Sequence, residues 1–538
     1  MISQMDLGDI QGNIVKAYGR FGFPVARHVF YNIGSAEVGR QFVTDITPLV
    51  TTSYPWTDPS TIPPVAMNIA FTYEGLRHLD VPEETLHGFS DEFSMGMKAR
   101  RDIVGDTGSN HYSRWDPMWN LEERGEAQHV HMLVSINAKT EDFIEERYLQ
   151  LQQILARAIA KFPEVPSPGV TQLTGHRGPG GALLDYQPSA ALVDRWDKEH
   201  FGYSDGISGT FFRECGEDPR LVIGGGKPNG KNPRTPEGWE PLEPGEFILG
   251  HSDESGAYPE APGPPLFSRN GTFLVYRKLH QNVASFNSYL EQEGARYPGG
   301  KEALAAKFAG RWRNGAPLTR FPTEAEANQF VNEVAALQTR VRGKTATPEE
   351  RARLDELKLQ FVAFDYDDDL DGTRCPFGSH TRRTNPRSGL MFAAKGGFGQ
   401  PAFDSPGALS NRRRILRRGL PYGLVEDRPT DDGDHGVIMI ILNADLSRQF
   451  EFVQQQWINF GNDFRLANDK DPLLGNHGID AEGRGAGRMV IEGDARTNTP
   501  PYFCSNMPTF VETRGGDYFF VPSMTCLRMI GLGIIDPT

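Results

Sequence analysis

The segment Gln128-His-Val-His-Met-Leu-Val-Ser-Ile136 places an apolar residue at every second position from Val130 onward, as a half-buried β-strand does. Thr140 follows closely and can cap an amphipathic helix, whose apolar stripe comprises Ile144, Tyr148, Leu151, Leu155 and Ala158. A strand that leads directly into such a helix is a building unit of folds that mix the two structures. This pair therefore indicates a mixed α and β protein.

Three further strand–helix pairs support the same fold class. Their strands are predicted at Val65–Tyr73, Gly271–Leu279 and Gly436–Leu442. Their helices are indicated by residues 74–79, by Val283, Phe286 and Leu290, and by Leu446, Phe450, Val453 and Trp457. Each half of the chain thus holds two pairs, which predicts two α+β domains of similar plan.

Local composition sets the predicted domain boundaries. Residues 224–265 are crowded with Gly, Pro and Asn, and we interpret them as an irregular connection between domains at 1–223 and 266–538. Residues 323–359 are charged and helical, with a good helix start at Thr347-Pro-Glu-Glu350. We expect this stretch to be a helical insertion in the second domain.

Charge and hydropathy exclude several classes of protein. The 538 residues carry 56 basic and 70 acidic side chains, a net charge of −14, which disfavours nucleic acid as a partner. No apolar run reaches the ~18 residues of a membrane-spanning helix. The four cysteines are widely spaced, which indicates reduced thiols instead of a disulfide framework. The N-terminus lacks a signal-peptide pattern. We expect a cytoplasmic protein, or a secreted one if a leader has been removed.

Two segments suggest a functional site. In Gly202-Tyr-Ser-Asp-Gly206 an Asp stands between glycines, a pattern that most often marks a simple turn. In Cys375–Arg387 a single histidine, His380, precedes three arginines. A lone histidine is usually structural, but haem iron takes one histidine ligand and the two haem propionates need cationic partners.

Taken together, these segments resemble the dye-decolorizing peroxidases, a family of haem peroxidases. The resemblance rests on the order of Gly202–Gly206, His380-Thr-Arg-Arg-Thr-Asn-Pro-Arg387 and Arg417-Arg-Gly-Leu-Pro-Tyr-Gly423. The length resembles the longer branch of the family, found in fungi and some bacteria. The resemblance implies two ferredoxin-like domains with haem b bound in the C-terminal one.

The family's catalytic residues fall on matching positions of this chain. The resemblance implies His380 as the proximal iron ligand, Asp205 as the distal acid and base, and Arg417 as the distal arginine, with the adjacent Arg418 as the alternative. Asp471 is the candidate acceptor for the His380 Nδ1 proton, and Asp463 is its competitor.

The remaining cofactor contacts are also implied by the resemblance. Arg382 or Arg383 is expected to meet a propionate, and Gly202 and Gly206 are expected to let the chain approach the porphyrin.

The implied function is that of a haem peroxidase. It would reduce hydrogen peroxide and oxidise phenolic, dye-like or other one-electron donors. Because its distal base would be an Asp, we expect an acidic pH optimum. The alternative is a haem-binding protein without peroxidase activity, such as a haem carrier or an iron-release enzyme. The sequence leaves open whether the protein forms a homo-oligomer.

Overall fold

The computed structural model describes residues 5–120, 129–166, 168–193, 197–215, 219–390 and 407–536. Within these ranges nine strands form one antiparallel sheet. They are β1 Val25–Ile33, β2 Val65–Phe71, β3 Met132–Ala138, β4 Val170–Gln172, β5 Gln187–Ala190, β6 Thr272–Gln281, β7 Leu416–Tyr422, β8 Gly436–Asn443 and β9 Val511–Val521. The strand order is β7-β8-β6-β9-β2-β3-β1-β4, and β5 also pairs with β1.

The two halves of the sheet repeat one topology. In the N-terminal half the order is β4-β1-β3-β2, and in the C-terminal half it is β9-β6-β8-β7. In both, the first strand lies between the third and the fourth, and helical segments follow the first and third strands. This is the plan of a ferredoxin-like unit, so the predicted α+β class is confirmed.

The halves share one core. Strands β9 and β2 meet through the pair Phe520 and Phe71. Aromatic side chains from both halves pack beside this junction, as Phe30 does against Tyr276. Burial of these large rings is the main stabilising contribution, since apolar area removed from water contributes ~25 cal/mol per Å². The domain boundaries at 223 and 266 stay a prediction.

Helices cover the sheet and its loops. Those of eight or more residues are Ala36–Ile46, Asp91–Ala99, Glu141–Ala160, Val283–Gly294, Gly300–Ala309, Glu324–Arg342, Pro348–Gln360 and Met524–Leu532. A short helix spans His380–Thr384, and two π-helical segments span Ser447–Glu451 and Val453–Ile458. No helix in the described ranges combines the length and the apolar character needed to cross a membrane.

The strands predicted at Val65–Tyr73, Gly271–Leu279 and Gly436–Leu442 form as β2, β6 and β8, with ends within two residues of the predicted ones. The helix predicted from Thr140 begins at Glu141, with the Thr140 side chain accepting the backbone N–H of Phe143. Gln128, the first residue of the predicted strand, lies outside the described residues. The pair formed by β1 and the helix Ala36–Ile46 was missed. The strand predicted up to Ile136 forms as β3, but six of its seven residues are buried, so the expectation of a half-buried strand was wrong.

Candidate active site

His380 and Asp471 form a hydrogen-bonded pair. His380 begins the helix His380–Thr384, directly after its N-cap Ser379. Its Nδ1 lies 2.9 Å from Oδ2 of Asp471, whose side chain is fully buried. The other oxygen of Asp471 accepts the backbone N–H groups of Leu473 and Leu474 at 2.8 and 2.9 Å. A carboxylate fixed in this way holds the imidazole in one orientation.

The surroundings of Asp471 favour its ionised form. Burial alone would raise the pKa of this carboxyl, but its interactions with His380 and with Arg383 lower the pKa below its ordinary value. The competing candidate, Asp463, accepts the indole N–H of Trp457 at 3.0 Å instead. The structure thus places Asp471 against His380 and gives Asp463 a different partner.

Arg382 and Arg383 both point into the protein. Arg382 donates to Oδ2 of Asp369 at 3.0 Å and to the carbonyl of Cys375 at 2.7 Å. Arg383 donates to four backbone carbonyls, those of Gly378, Trp457, Phe460 and Asp469. Burial lowers the pKa of Arg383 to about 10. Both guanidinium groups thus anchor the short helix that carries His380, and the propionate contact expected of one of them stays a prediction.

The Gly-x-x-Asp-Gly segment is a tight loop that presents Asp205 outward. Gly202 and Gly206 have φ values of +89° and +71°, which favour glycine at both positions. A Cβ added at Gly206 would meet nothing within 4 Å. The backbone N–H of Asp205 donates to the carbonyl of Asp197 at 2.9 Å, and that of Ser204 donates to the carbonyl of Arg313 at 3.1 Å.

Arg417 lies beside Asp205. Its guanidinium Nη1 is 3.5 Å from Oδ1 of Asp205, although 212 residues separate the two in sequence. The adjacent Arg418 points the other way and donates to the carbonyls of Asn13 and Ile14. Successive residues of a strand face opposite sides, so only one of the two arginines of β7 can face Asp205. The structure brings Arg417, not Arg418, to this position.

Sequence reasoning did not identify the groups that hold the Asp205 loop. Asp197 and Arg313 accept its N–H groups through their carbonyl oxygens. Main-chain acceptors leave no signature in a pattern of side chains, so no sequence signal indicated them.

The donor chemistry of the site fits a haem. With Nδ1 of His380 hydrogen-bonded to a carboxylate, Nε2 carries the lone pair that an iron ligand needs. The His380 side chain is 25% exposed, and within the described residues its Nε2 makes no hydrogen bond. No group of three or more His, Cys, Asp or Glu side chains in the described ranges is arranged to hold a metal ion.

Comparisons with known proteins identify relatives of the whole chain. Residues 9–167 match the family model described as the DyP dimeric alpha+beta barrel domain. A dye-decolorizing peroxidase of Mycena epipterygia is 27% identical over 550 residues, covering 98% of this chain and 87% of that protein. A multifunctional dye peroxidase of an Amycolatopsis species is 29% identical over 349 residues, covering 62% of this chain and 61% of that protein.

The solved structures show the same fold. The crystal structure of a fungal DyP-type peroxidase from Auricularia auricula-judae superposes with a TM-score of 0.67 at 20% identity. The match covers 98% of this chain and all of the other.

Proposed function

The chain belongs to the dye-decolorizing peroxidase family, and from this premise we propose that it is a haem peroxidase that reduces hydrogen peroxide with electrons from phenolic, dye-like or other one-electron donors. The observation that carries the proposal is the pairing of Asp205 with Arg417 across 212 residues of sequence. The second pair, His380 with Asp471, supplies the matching iron ligand and its carboxylate. Each of these four residues stands at a position that the family resemblance assigns to the reaction.

His380 would hold haem b in the C-terminal half of the chain. When bound, haem would supply the redox-active iron on which the peroxide chemistry depends. Asp471 would keep the His380 Nδ1 proton and raise the basicity of Nε2, which strengthens the bond to the iron. Arg382 and Arg383 anchor the His380 helix, and we propose that one of them also meets a haem propionate.

Asp205 would transfer the proton that peroxide cleavage requires. Its carboxylate would accept a proton from one oxygen of hydrogen peroxide and return it to the other oxygen, so that water can leave. A side chain that performs both steps must be reachable by the substrate, and Asp205 is half exposed.

Arg417 would supply the fixed positive charge of the site. A guanidinium stays protonated at any working pH and stabilises negative charge that develops on the peroxide oxygens. Its distance of 3.5 Å from Asp205 lets both side chains reach one small substrate.

The choice of base sets the expected pH dependence. Free carboxylates of Asp titrate near 3.9 and free imidazoles near 6.5. A peroxidase whose base is a carboxylate therefore keeps working in mild acid, and we expect an optimum near pH ~4–5.

An absorption spectrum tests the proposal directly. The purified protein, supplied with haem, should show a Soret band that changes within seconds of adding one equivalent of hydrogen peroxide. His380→Ala should lose either the haem or the change. A wild-type protein that binds haem but does not respond to peroxide would contradict the peroxidase proposal and favour a haem carrier, and one that binds no haem would exclude both.

A further inference from the structure

The side chain of Glu199 lies beneath the loop that carries Asp205. Its Oε2 accepts the backbone N–H of Phe201 at 2.9 Å, and its Oε1 accepts that of Tyr203 at 2.8 Å. The carboxylate also accepts a hydrogen bond from the side-chain amide of Gln281, which belongs to β6. One side chain thus joins two backbone N–H groups of the loop to the central sheet.

The backbone of the same loop closes around Glu199. Its N–H donates to the carbonyl of Tyr203 at 3.1 Å, and its carbonyl accepts the N–H of Gly202 at 2.9 Å. Asp205 lies only two residues beyond Tyr203 in the chain. A shift of the Phe201–Tyr203 turn would therefore move the Asp205 carboxylate relative to Arg417.

A carboxylate in this environment has an energetic cost. Burial raises the pKa of Glu199 above its ordinary value, despite the hydrogen bonds from Gln281 and the two amides. A neutral residue could fill the space, but it could not accept two N–H groups on two separate oxygens. The two acceptor oxygens of Glu199 are therefore tied to the conformation of this loop.

The loop is also joined to the strand that carries Arg417. His200, the residue after Glu199, has its Nε2 at 2.8 Å from the carbonyl of Tyr422. Tyr422 ends β7, and Arg417 lies near the start of that strand. The two elements that bear the candidate catalytic pair thus share a hydrogen bond next to Glu199.

We propose that Glu199 is a positioning residue, which holds the Asp205 carboxylate where it meets Arg417. This inference rests on the proposed peroxidase function for its kinetic consequence, although the hold on the loop is independent of it.

The decisive variant is Glu199→Gln. The amide has nearly the same shape, but its NH₂ group replaces one acceptor and would face a backbone N–H. We expect kcat/KM for hydrogen peroxide to fall about 10- to 100-fold, the range expected when hydrogen bonds to a charged group are lost. The matched control is Glu293→Gln, a buried carboxylate that accepts a hydrogen bond from Tyr502 and has no hydrogen bond to the Asp205 loop. It should stay within about twofold of wild type.

Two further measurements separate positioning from general destabilisation. In an Asp205→Asn background, Glu199→Gln should change the rate less than about twofold, because it acts through the group already removed. In the haem-free protein, Glu199→Gln should speed amide hydrogen exchange in residues 199–206, and Glu293→Gln should not.

The outcomes distinguish this inference from the function it rests on. If wild type fails to react with peroxide, the proposed function falls and hydrogen exchange alone decides the role of Glu199. If wild type reacts but Glu199→Gln behaves like Glu293→Gln, the positioning role is overturned. If Glu199→Gln lowers the rate in the Asp205→Asn background as much as it does in wild type, the positioning role is overturned as well.

Discussion

Oδ2 of Asp471 lies 2.9 Å from Nδ1 of His380, and Oδ1 of the same carboxylate accepts two backbone N–H groups. The carboxylate is therefore held on both sides and has little freedom to rotate. Since it is fully buried, its charge is screened little by solvent. His380 thus experiences a fixed negative charge on the side away from its Nε2.

Removing this charge should weaken the reaction with peroxide. Asp471→Asn keeps the shape of the side chain but removes the negative charge behind His380. Outer partners of a metal ligand typically contribute about 10- to 100-fold to metal affinity or activity, and we expect a loss of that size in the peroxide reaction. Spectroelectrochemistry should show that the iron is easier to reduce than in wild type.

Asp463→Asn is the control for this variant. It weakens the hydrogen bond to the Trp457 indole and leaves His380 with its partner. Equal effects of Asp463→Asn and Asp471→Asn would show that the charge behind His380 does not matter.

The two neighbouring arginines of β7 should differ in their effects. Arg417→Leu removes the charge beside Asp205, and we expect peroxide kcat/KM to fall about 100-fold or more. Arg418→Leu loses hydrogen bonds to the carbonyls of Asn13 and Ile14, so it should lower the melting temperature and leave the rate within about twofold. Stopped-flow mixing with peroxide measures the rates, and the opposite ranking would reassign the distal arginine.

Sequence reasoning reached some of these residues for clear physical reasons. The alternation up to Ile136 and the cap at Thr140 are local signals, and the helix begins where predicted, whereas the strand begins only at Met132. The segments that contain Asp205, His380 and Arg417 were found through the resemblance of their order to a known family, since each pattern alone more often has a purely structural role. The sequence could not show that Asp205 and Arg417 lie close together, because a contact across 212 residues depends on how the two halves join.

The direction of a side chain was the least predictable feature. Arg382 and Arg383 stand two and three residues after His380, so a role toward the cofactor was a natural expectation. The short helix turns them toward Asp369 and toward backbone carbonyls, and a contact of either with a propionate stays a prediction. Neither composition nor spacing reveals that these cations compensate buried acceptors of the protein itself.

The buried pair of Asp369 and Arg382 should contribute strongly to stability. Both side chains are about 1% exposed and their charged atoms are 3.0 Å apart. Asp369→Ala would leave Arg382 buried without its counter-ion, and removing one partner of such a pair typically costs about 3–5 kcal/mol. Urea unfolding should show that loss in the free energy of unfolding.

A neighbouring carboxylate provides the control. Asp368 pairs with Arg234 at 3.3 Å, but the Asp368 side chain is 65% exposed. Surface pairs of this kind contribute about 0–1 kcal/mol. Asp368→Ala should therefore be nearly neutral, and equal losses for the two variants would contradict the argument from burial.

Buried histidines should make the fold less stable in mild acid. Burial lowers the pKa of His28 to about 4, and burial together with His78 lowers the pKa of His131 to about 3. In the unfolded chain both would titrate near 6.5. The unfolded state therefore binds more protons than the folded one as the pH falls below ~6.5, and stability is lost progressively down to the folded pKa values.

This loss can be assigned to a single residue with His28→Gln. From its two pKa values, His28 should account for about 2 kcal/mol of the stability lost between pH 7 and pH 5. Wild type should lose unfolding free energy between pH 7 and pH 5, and in His28→Gln this loss should be smaller by about 2 kcal/mol. The comparison does not depend on how much the substitution itself destabilises the protein at pH 7. His87→Gln, at a side chain that is 76% exposed, should leave the loss unchanged. Urea unfolding at both pH values measures it, and an unchanged loss in His28→Gln would show that His28 is not held neutral in the fold.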